Sequence, residues 1–143
     1  MKKVFALLAV SALLLTGCGE KEVSASSDNL PTVTTNQGEA PTIGAPAGNP
    51  PTTLEIKDII VGNGAEALPT STMTVHYTLM TWSNGQLIES SWNSGSPATF
   101  PLANVIVGWQ QGIPGMKVGG RRLLVIPPDL GYGAQGGGPI GPN

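Results

Sequence analysis

One histidine, one cysteine and nine acidic residues are all that this 143-residue chain offers to acid–base, nucleophilic or metal chemistry. A Ser-His-Asp arrangement needs a histidine poised to take a proton. His76 instead sits within an alternating run, facing opposite to Tyr77, and no Gly-x-Ser-x-Gly elbow occurs. It reads as a structural or surface side chain. Metal sites need clustered His, Cys, Asp or Glu, and the scattered acids here form no such cluster. Neither a metal nor a cofactor is expected. The glycines from Gly131 to Gly138 lack the Gly-Lys-Ser/Thr ending of a phosphate loop. No spacing pairs two of the carboxylates Glu55, Asp58, Glu66, Glu89 and Asp129 for glycoside hydrolysis. What remains is apolar and aromatic: Tyr77, Ile88, Val105, Ile106, Trp109, Tyr132 and Ile140, with one nearby acid, Glu89. Such a set serves either as a packed core or as the wall of a pocket, and the residues alone leave both open.

The elements that must position this set can be read from periodicity. Leu54 to Ile59 alternates apolar and polar residues, as a half-buried strand does. Thr72 to Trp82 is the longest alternating run, with Met73, Val75, Tyr77 and Leu79 on one face. It predicts one strand of an antiparallel sheet. Asn84-Gly85 predicts a tight hairpin turn, since both residues tolerate positive φ, and Leu87 to Glu89 begins the return. Ser90 to Pro97 reads as a loop and Ala98 to Phe100 as extended chain. Between Pro101 and Ile113, Ile106, Trp109 and Ile113 fall at i, i+3 and i+7, one face of a short helix. Gly112, Pro114 and Gly115 limit its length. Arg121 to Ile126 is a strand, stopped by Pro127-Pro128. The class is α+β, an antiparallel sheet with one helix on it.

The first 51 residues differ in kind. Met1-Lys2-Lys3 is basic and Val4 to Leu15 mostly apolar, too short for a span of about 20 residues. Residues 1–17 read as a signal peptide. Leu15-Thr16-Gly17-Cys18 resembles the bacterial lipobox, which implies lipidation of Cys18 and a membrane anchor facing the extracytoplasmic side. With one cysteine there is no intrachain disulfide, and an odd cysteine in an exported protein calls for such an explanation. Residues 18–51 are rich in Thr, Pro, Ser and Gly and lack aromatics. They read as a disordered tether ahead of a domain over 52–143. The net charge is −2; losing Lys2 and Lys3 leaves 5 basic and 9 acidic residues, or −4. That balance argues against a nucleic-acid partner.

Several segments together resemble the FKBP-type peptidyl-prolyl isomerases. They are Val75-His76-Tyr77-Thr78, Ile88-Glu89-Ser90-Ser91, Val105-Ile106-Val107-Gly108-Trp109, Gly115 to Arg122, and Pro127-Pro128-Asp129-Leu130-Gly131-Tyr132-Gly133. They stand in the family's order over Leu54 to Asn143. The resemblance implies a twisted antiparallel sheet wrapped around one short helix, with a proline pocket between them. Trp109 would floor that pocket. Tyr77, Ile88, Val105, Phe100 and Ile140 would wall it. The Ile106 N–H and the Tyr132 hydroxyl would bond substrate carbonyls, and Glu89 stands where Asp is usual. Ile88, Ser94 and Ala98 depart from the common wall residues. The family pattern continues past Asn143 with one more strand, so the sequence reads as a truncated form or fragment.

The activity this implies is cis–trans isomerisation of X–Pro bonds, assisting the folding of exported proteins. The expected partners are proline-containing unfolded or exported polypeptides and macrolide inhibitors, with the protein itself a monomer. An alternative is a non-catalytic binding module or holdase using the same groove; another is a structural envelope domain whose pocket its own side chains fill.

Overall fold

The computed structural model describes residues 29–142. The expected signal peptide and Cys18 lie outside the described residues. Six strands and one helix follow in order: β1 (Glu55–Ile60), β2 (Thr72–Val75), β3 (Thr78–Met80), β4 (Leu87–Ser90), β5 (Ala98–Pro101), α1 (Val107–Gly112) and β6 (Arg121–Val125). Among the described residues the strands pair antiparallel as β1 with β6, β2 with β5, and β3 with β4. The α+β architecture with one short helix is the expected one.

Local sequence accounts for most of this, but three details differ from expectation. The alternating run from Thr72 is not one strand. It breaks at His76-Tyr77, where the chain changes partner from β5 to β4. Side-chain alternation is nearly blind to such a break, because the alternating residues run on through it in the sequence. The hairpin after Met80 is wider than the tight Asn-Gly turn. Only Gly85 has positive φ there (64°). Asn84 Oδ1 instead accepts from Gln86 N (2.9 Å) and from Thr81 Oγ1, so Thr81 and Gln86 close a four-residue loop. A capping side chain thus replaces the left-handed Asn that the two-residue turn requires.

The third difference is the stretch expected to be an unstructured tether. From Asn29 on, it is an arm packed on the domain. Val33 pairs with Ile43, Pro31 is buried, and Gly44 N donates to Thr32 O (2.8 Å). Composition argued for disorder because the arm cannot bury its own apolar surface. The domain instead supplies hydrogen-bond donors, Arg121 to Thr34 O and Glu39 O and Trp82 to Gly48 O.

The core centres on Met73, Leu102 and Ile113. Ala67, Val75, Phe100, Val105, Trp109 and Leu124 pack against it. One ionic group ties the helix to the sheet. Arg122, on β6, places Nε and Nη2 on the two carboxylate oxygens of Asp58, on β1, at 2.7 and 3.0 Å. Its Nη1 reaches the carbonyls of Gly112 (2.9 Å) and Pro114 (3.2 Å) at the C-terminal end of α1. Those carbonyls have no partner within the helix, and a cation there also meets the negative end of the helix dipole. The guanidinium is largely enclosed, at 10% exposure against 40% for the carboxylate. The Arg122 hydrogen bond lowers the Asp58 pKa below its ordinary 3.8.

Removing the fork should therefore cost more than an exposed ion pair does. Arg122→Ala is expected to lower unfolding stability by about 2–4 kcal/mol, read as a fall in urea midpoint. Arg122→Lys restores only part, because one ammonium cannot span both partners. A depressed carboxylate pKa contributes stability above the unfolded value and loses it as pH falls through the folded one. The stability gap between wild type and Asp58→Asn should accordingly be widest above about pH 4 and close below it; a gap independent of pH would show that the pair contributes nothing.

Candidate functional site

Trp109 owes its position to two glycines. Gly108 and Gly112 lie one turn apart on the buried side of α1. A Cβ at Gly108 would stand 2.5 Å from Ile126 Cγ2, and one at Gly112 would stand 2.7 Å from Leu124 Cδ2. The helix thus rests directly on the sheet, which permits a six-residue helix that would be marginal alone. No side chain caps its N-terminus. Gln110 braces the preceding segment instead, with Nε2 on Val105 O (2.8 Å) and Ala103 O (3.3 Å).

The indole of Trp109 meets two rings. Tyr77 approaches edge-on, with centroids 5.6 Å apart and planes at 78°. Phe100 lies at 5.3 Å and 50°. Both are favourable aromatic geometries. Val105 packs on the same core. These four expected site residues form one apolar surface.

Tyr77 is held at the strand break. Ser91, itself buried, accepts from Tyr77 N through Oγ (2.9 Å) and donates its own N–H to Tyr77 O (3.1 Å). The same Oγ lies 3.1 Å from His76 Nδ1. The His76 ring stacks on Trp92 at 4.0 Å. His76 is thus occupied in structure, as the sequence suggested. The Tyr77 hydroxyl donates to Glu89 Oε1 at 2.5 Å. That hydrogen bond, followed by burial and the charges of Glu89 and Tyr132, pushes the Tyr77 pKa up to about 12. Tyr77 is therefore a neutral donor already committed to Glu89, and Glu89 sets the polarity of its edge.

Tyr132 comes close enough to Tyr77 to act on its ionisation. Its ring is backed by Gly137, where a Cβ would lie 3.3 Å away. Tyr132 is 42% exposed. Neither its hydroxyl nor the Ile106 N–H has a hydrogen-bond partner among the described residues. Two polar groups thus remain available near an apolar surface. Ile88 and Ile140 are placed differently: with Thr81, Ser83, Gln86 and others they line a cleft of about 350 Å³. Ile88 lies on β4 one residue before Glu89, the partner of the Tyr77 hydroxyl.

Sequence reasoning missed Ser91, Gly108 and Gly112 as functional supports. The glycine pair had a readable signal, an i, i+4 spacing on a short helix beside an aromatic. Ser91 stands in a family segment, but its role depends on the chain break at Tyr77, which periodicity does not show. Among the described residues no group of three or more His, Cys, Asp or Glu is placed to hold a metal, and no helix is long and apolar enough to cross a membrane.

Comparison with known proteins adds to this geometry. A family model described as FKBP-type peptidyl-prolyl cis-trans isomerase matches residues 64–143. A "Probable FK506-binding protein" of Corynebacterium glutamicum is 52% identical over 100 residues, 70% of this chain and 85% of that one. The crystal structure of FkpA from Escherichia coli is similar with TM-score 0.58 and 37% identity, covering 63% of this chain and 42% of that one. That of AtFKBP13 is similar with TM-score 0.55 and 39% identity, covering 62% and 82%.

Two outcomes follow from the geometry. A raised tyrosine pKa stabilises the fold below the unfolded value and loses that contribution as pH rises through the folded one. One tyrosine should thus ionise near pH 12, followed by ultraviolet absorbance, and Glu89→Gln should move it back toward 10. Gly108→Ala should destabilise by about 1–3 kcal/mol, since the branched Ile126 has little room to yield, outweighing a helix-propensity gain of about 1 kcal/mol. Gly112→Ala should cost less, because the end of Leu124 can turn away; thermal melting orders the two.

Proposed function

We propose that this chain, which belongs to the FKBP-type peptidyl-prolyl cis-trans isomerase family, catalyses exchange about X–Pro bonds of exported polypeptides at a bacterial cell envelope. The observation that carries the reading is the Trp109–Tyr77–Phe100 surface, flanked by an available Ile106 N–H and Tyr132 hydroxyl.

Rotation about a peptide bond must break its resonance, a barrier of about 18–20 kcal/mol. No covalent bond is made or broken, so the catalyst needs no nucleophile or metal. It has to bind the twisted amide better than the planar one. The twisted form has lost resonance and carries less charge on its carbonyl oxygen. An apolar surface disfavours the polar planar form more. Trp109, with Tyr77, Phe100 and Val105 around it, supplies that surface. Ile106 N–H and Tyr132 orient the substrate carbonyls. Ile88 and Ile140 contact chain flanking the proline. Glu89 keeps the Tyr77 hydroxyl turned to itself and leaves the rings as the substrate-facing surface.

The envelope location rests on the amino-terminal sequence. A basic start, a short apolar run and Cys18 form a lipoprotein signal, and acyl chains on that cysteine would anchor the domain as a monomer. FK506-type macrolides would occupy the same apolar surface as a prolyl ring.

In an exchange assay on a prolyl tetrapeptide, wild type is expected to exceed the uncatalysed rate. Trp109→Phe should lower kcat/KM by about tenfold and Tyr132→Phe by about fivefold, with melting temperature as a check on folding. Wild type and both variants all at the uncatalysed rate would end the enzyme reading, and suppression of aggregation without catalysis would favour a holdase. Cys18→Ser should release the protein from membranes into the aqueous phase.

A further inference from the structure

The arm over residues 31–48 touches two separate parts of the domain. At one end Arg121, on β6, donates Nη1 to Thr34 O at 2.6 Å and Nη2 to Glu39 O at 2.7 Å. These carbonyls flank the turn of the arm, which Asn36 closes by donating Nδ2 to Glu39 Oε2 (3.0 Å). Gln37 Nε2 adds a longer bond to Gly119 O (3.4 Å). At the other end Trp82, in the loop between β3 and β4, donates Nε1 to Gly48 O at 3.1 Å. Pro46 sits over Gly85, where a Cβ would meet its Cδ at 3.6 Å. Pro41, Thr42 and Ile43 face Thr78, Met80 and Leu87 across a cleft of about 310 Å³.

The two parts are distinct in hydrogen bonding. Among the described residues β1 and β6 form one pair and β3 and β4 another, with no ladder between them. The first pair supports α1 and so Trp109; the second carries Glu89 and begins next to Tyr77. We propose that the arm is a clasp that sets the spacing between these two parts, so that docking of the arm controls the site between them. The inference rests on the reading of Trp109, Tyr77 and Glu89 as the site. Charge-assisted bonds from one guanidinium to two carbonyls suit a clasp, because a single side chain closes or releases the turn. Pro41 and Pro46 favour it too, since restricted residues lose less conformational freedom on docking. A small change at Arg121 or Trp82 would then be felt at β3–β4, whose hairpin loop holds Trp82.

Full-length protein carrying Arg121→Ala with Trp82→Phe tests this. Lys57→Ala, which removes an exposed cation from β1, is the control for charge. Amide exchange at Thr34 and Gly44 in the arm, and at Thr81 and Gly85 in the hairpin, should speed up by about tenfold in the double variant and stay unchanged in the control. Amides of β1 and β6 should keep their protection, which shows that the domain remains folded. For the prolyl peptide, KM should rise more than kcat falls, since the site is loosened and its groups are intact. Arg121→Lys should fall between wild type and Arg121→Ala. Faster exchange in the arm with unchanged protection at Thr81 and Gly85 would overturn the clasp, and so would an unchanged KM once the hairpin has loosened. Absence of catalysis in wild type would defeat the isomerase reading alone, because the exchange pattern decides the clasp without it.

Discussion

The placement of a guanidinium at the end of a six-residue helix is the constraint on which the rest of this structure depends. A helix so short cannot hold itself together in water. Its last carbonyls need donors, and Arg122 provides them while remaining bound to Asp58 across the β1–β6 pair. The fork therefore fixes three things at once: the register of two strands, the end of the helix and the contact between them. Gly108 and Gly112 complete the arrangement by letting the helix lie on Leu124 and Ile126. Trp109 then has no freedom to choose another neighbour. An aromatic surface built this way comes from backbone approach rather than from a large core: among the described residues the buried hydrophobics are Met73, Leu102 and Ile113, and only Leu102 is fully enclosed.

The opposite wall follows a different logic. Its strand is interrupted where Tyr77 is needed, and Ser91 repairs the interruption by serving the backbone of Tyr77 on both sides. One hydroxyl does the work of a ladder position. The phenol is then bound by Glu89, which removes its polarity from the aromatic surface. The result is a surface on which Tyr77 and Glu89 are engaged with each other while the Tyr132 hydroxyl stays available. Such a site suits a reaction that needs an apolar environment and a few oriented donors, with no proton transfer.

The arm shows how composition can mislead. Thr, Pro and Gly over residues 29–50 predict a segment that does not fold alone. Disorder does not follow when a neighbouring surface offers donors to its carbonyls. Arg121 and Trp82 are such donors. Their pairing with residues more than thirty positions away leaves no local trace in the chain.

What the sequence determined by itself is substantial. Strand and helix positions follow from side-chain periodicity, which is local. The aromatic set around Trp109 was legible as what elimination leaves, and only the resemblance carried by the family motifs turned it from a core into an expected pocket. Tertiary structure alone decided the break at Tyr77, the wide turn at Asn84 and the docking of the arm. Each of these turns on a hydrogen bond or contact between segments distant in the chain or on a backbone angle. Periodicity reports which face a residue takes. It carries no information on which partner satisfies its polar groups, and that choice is made only when the elements meet.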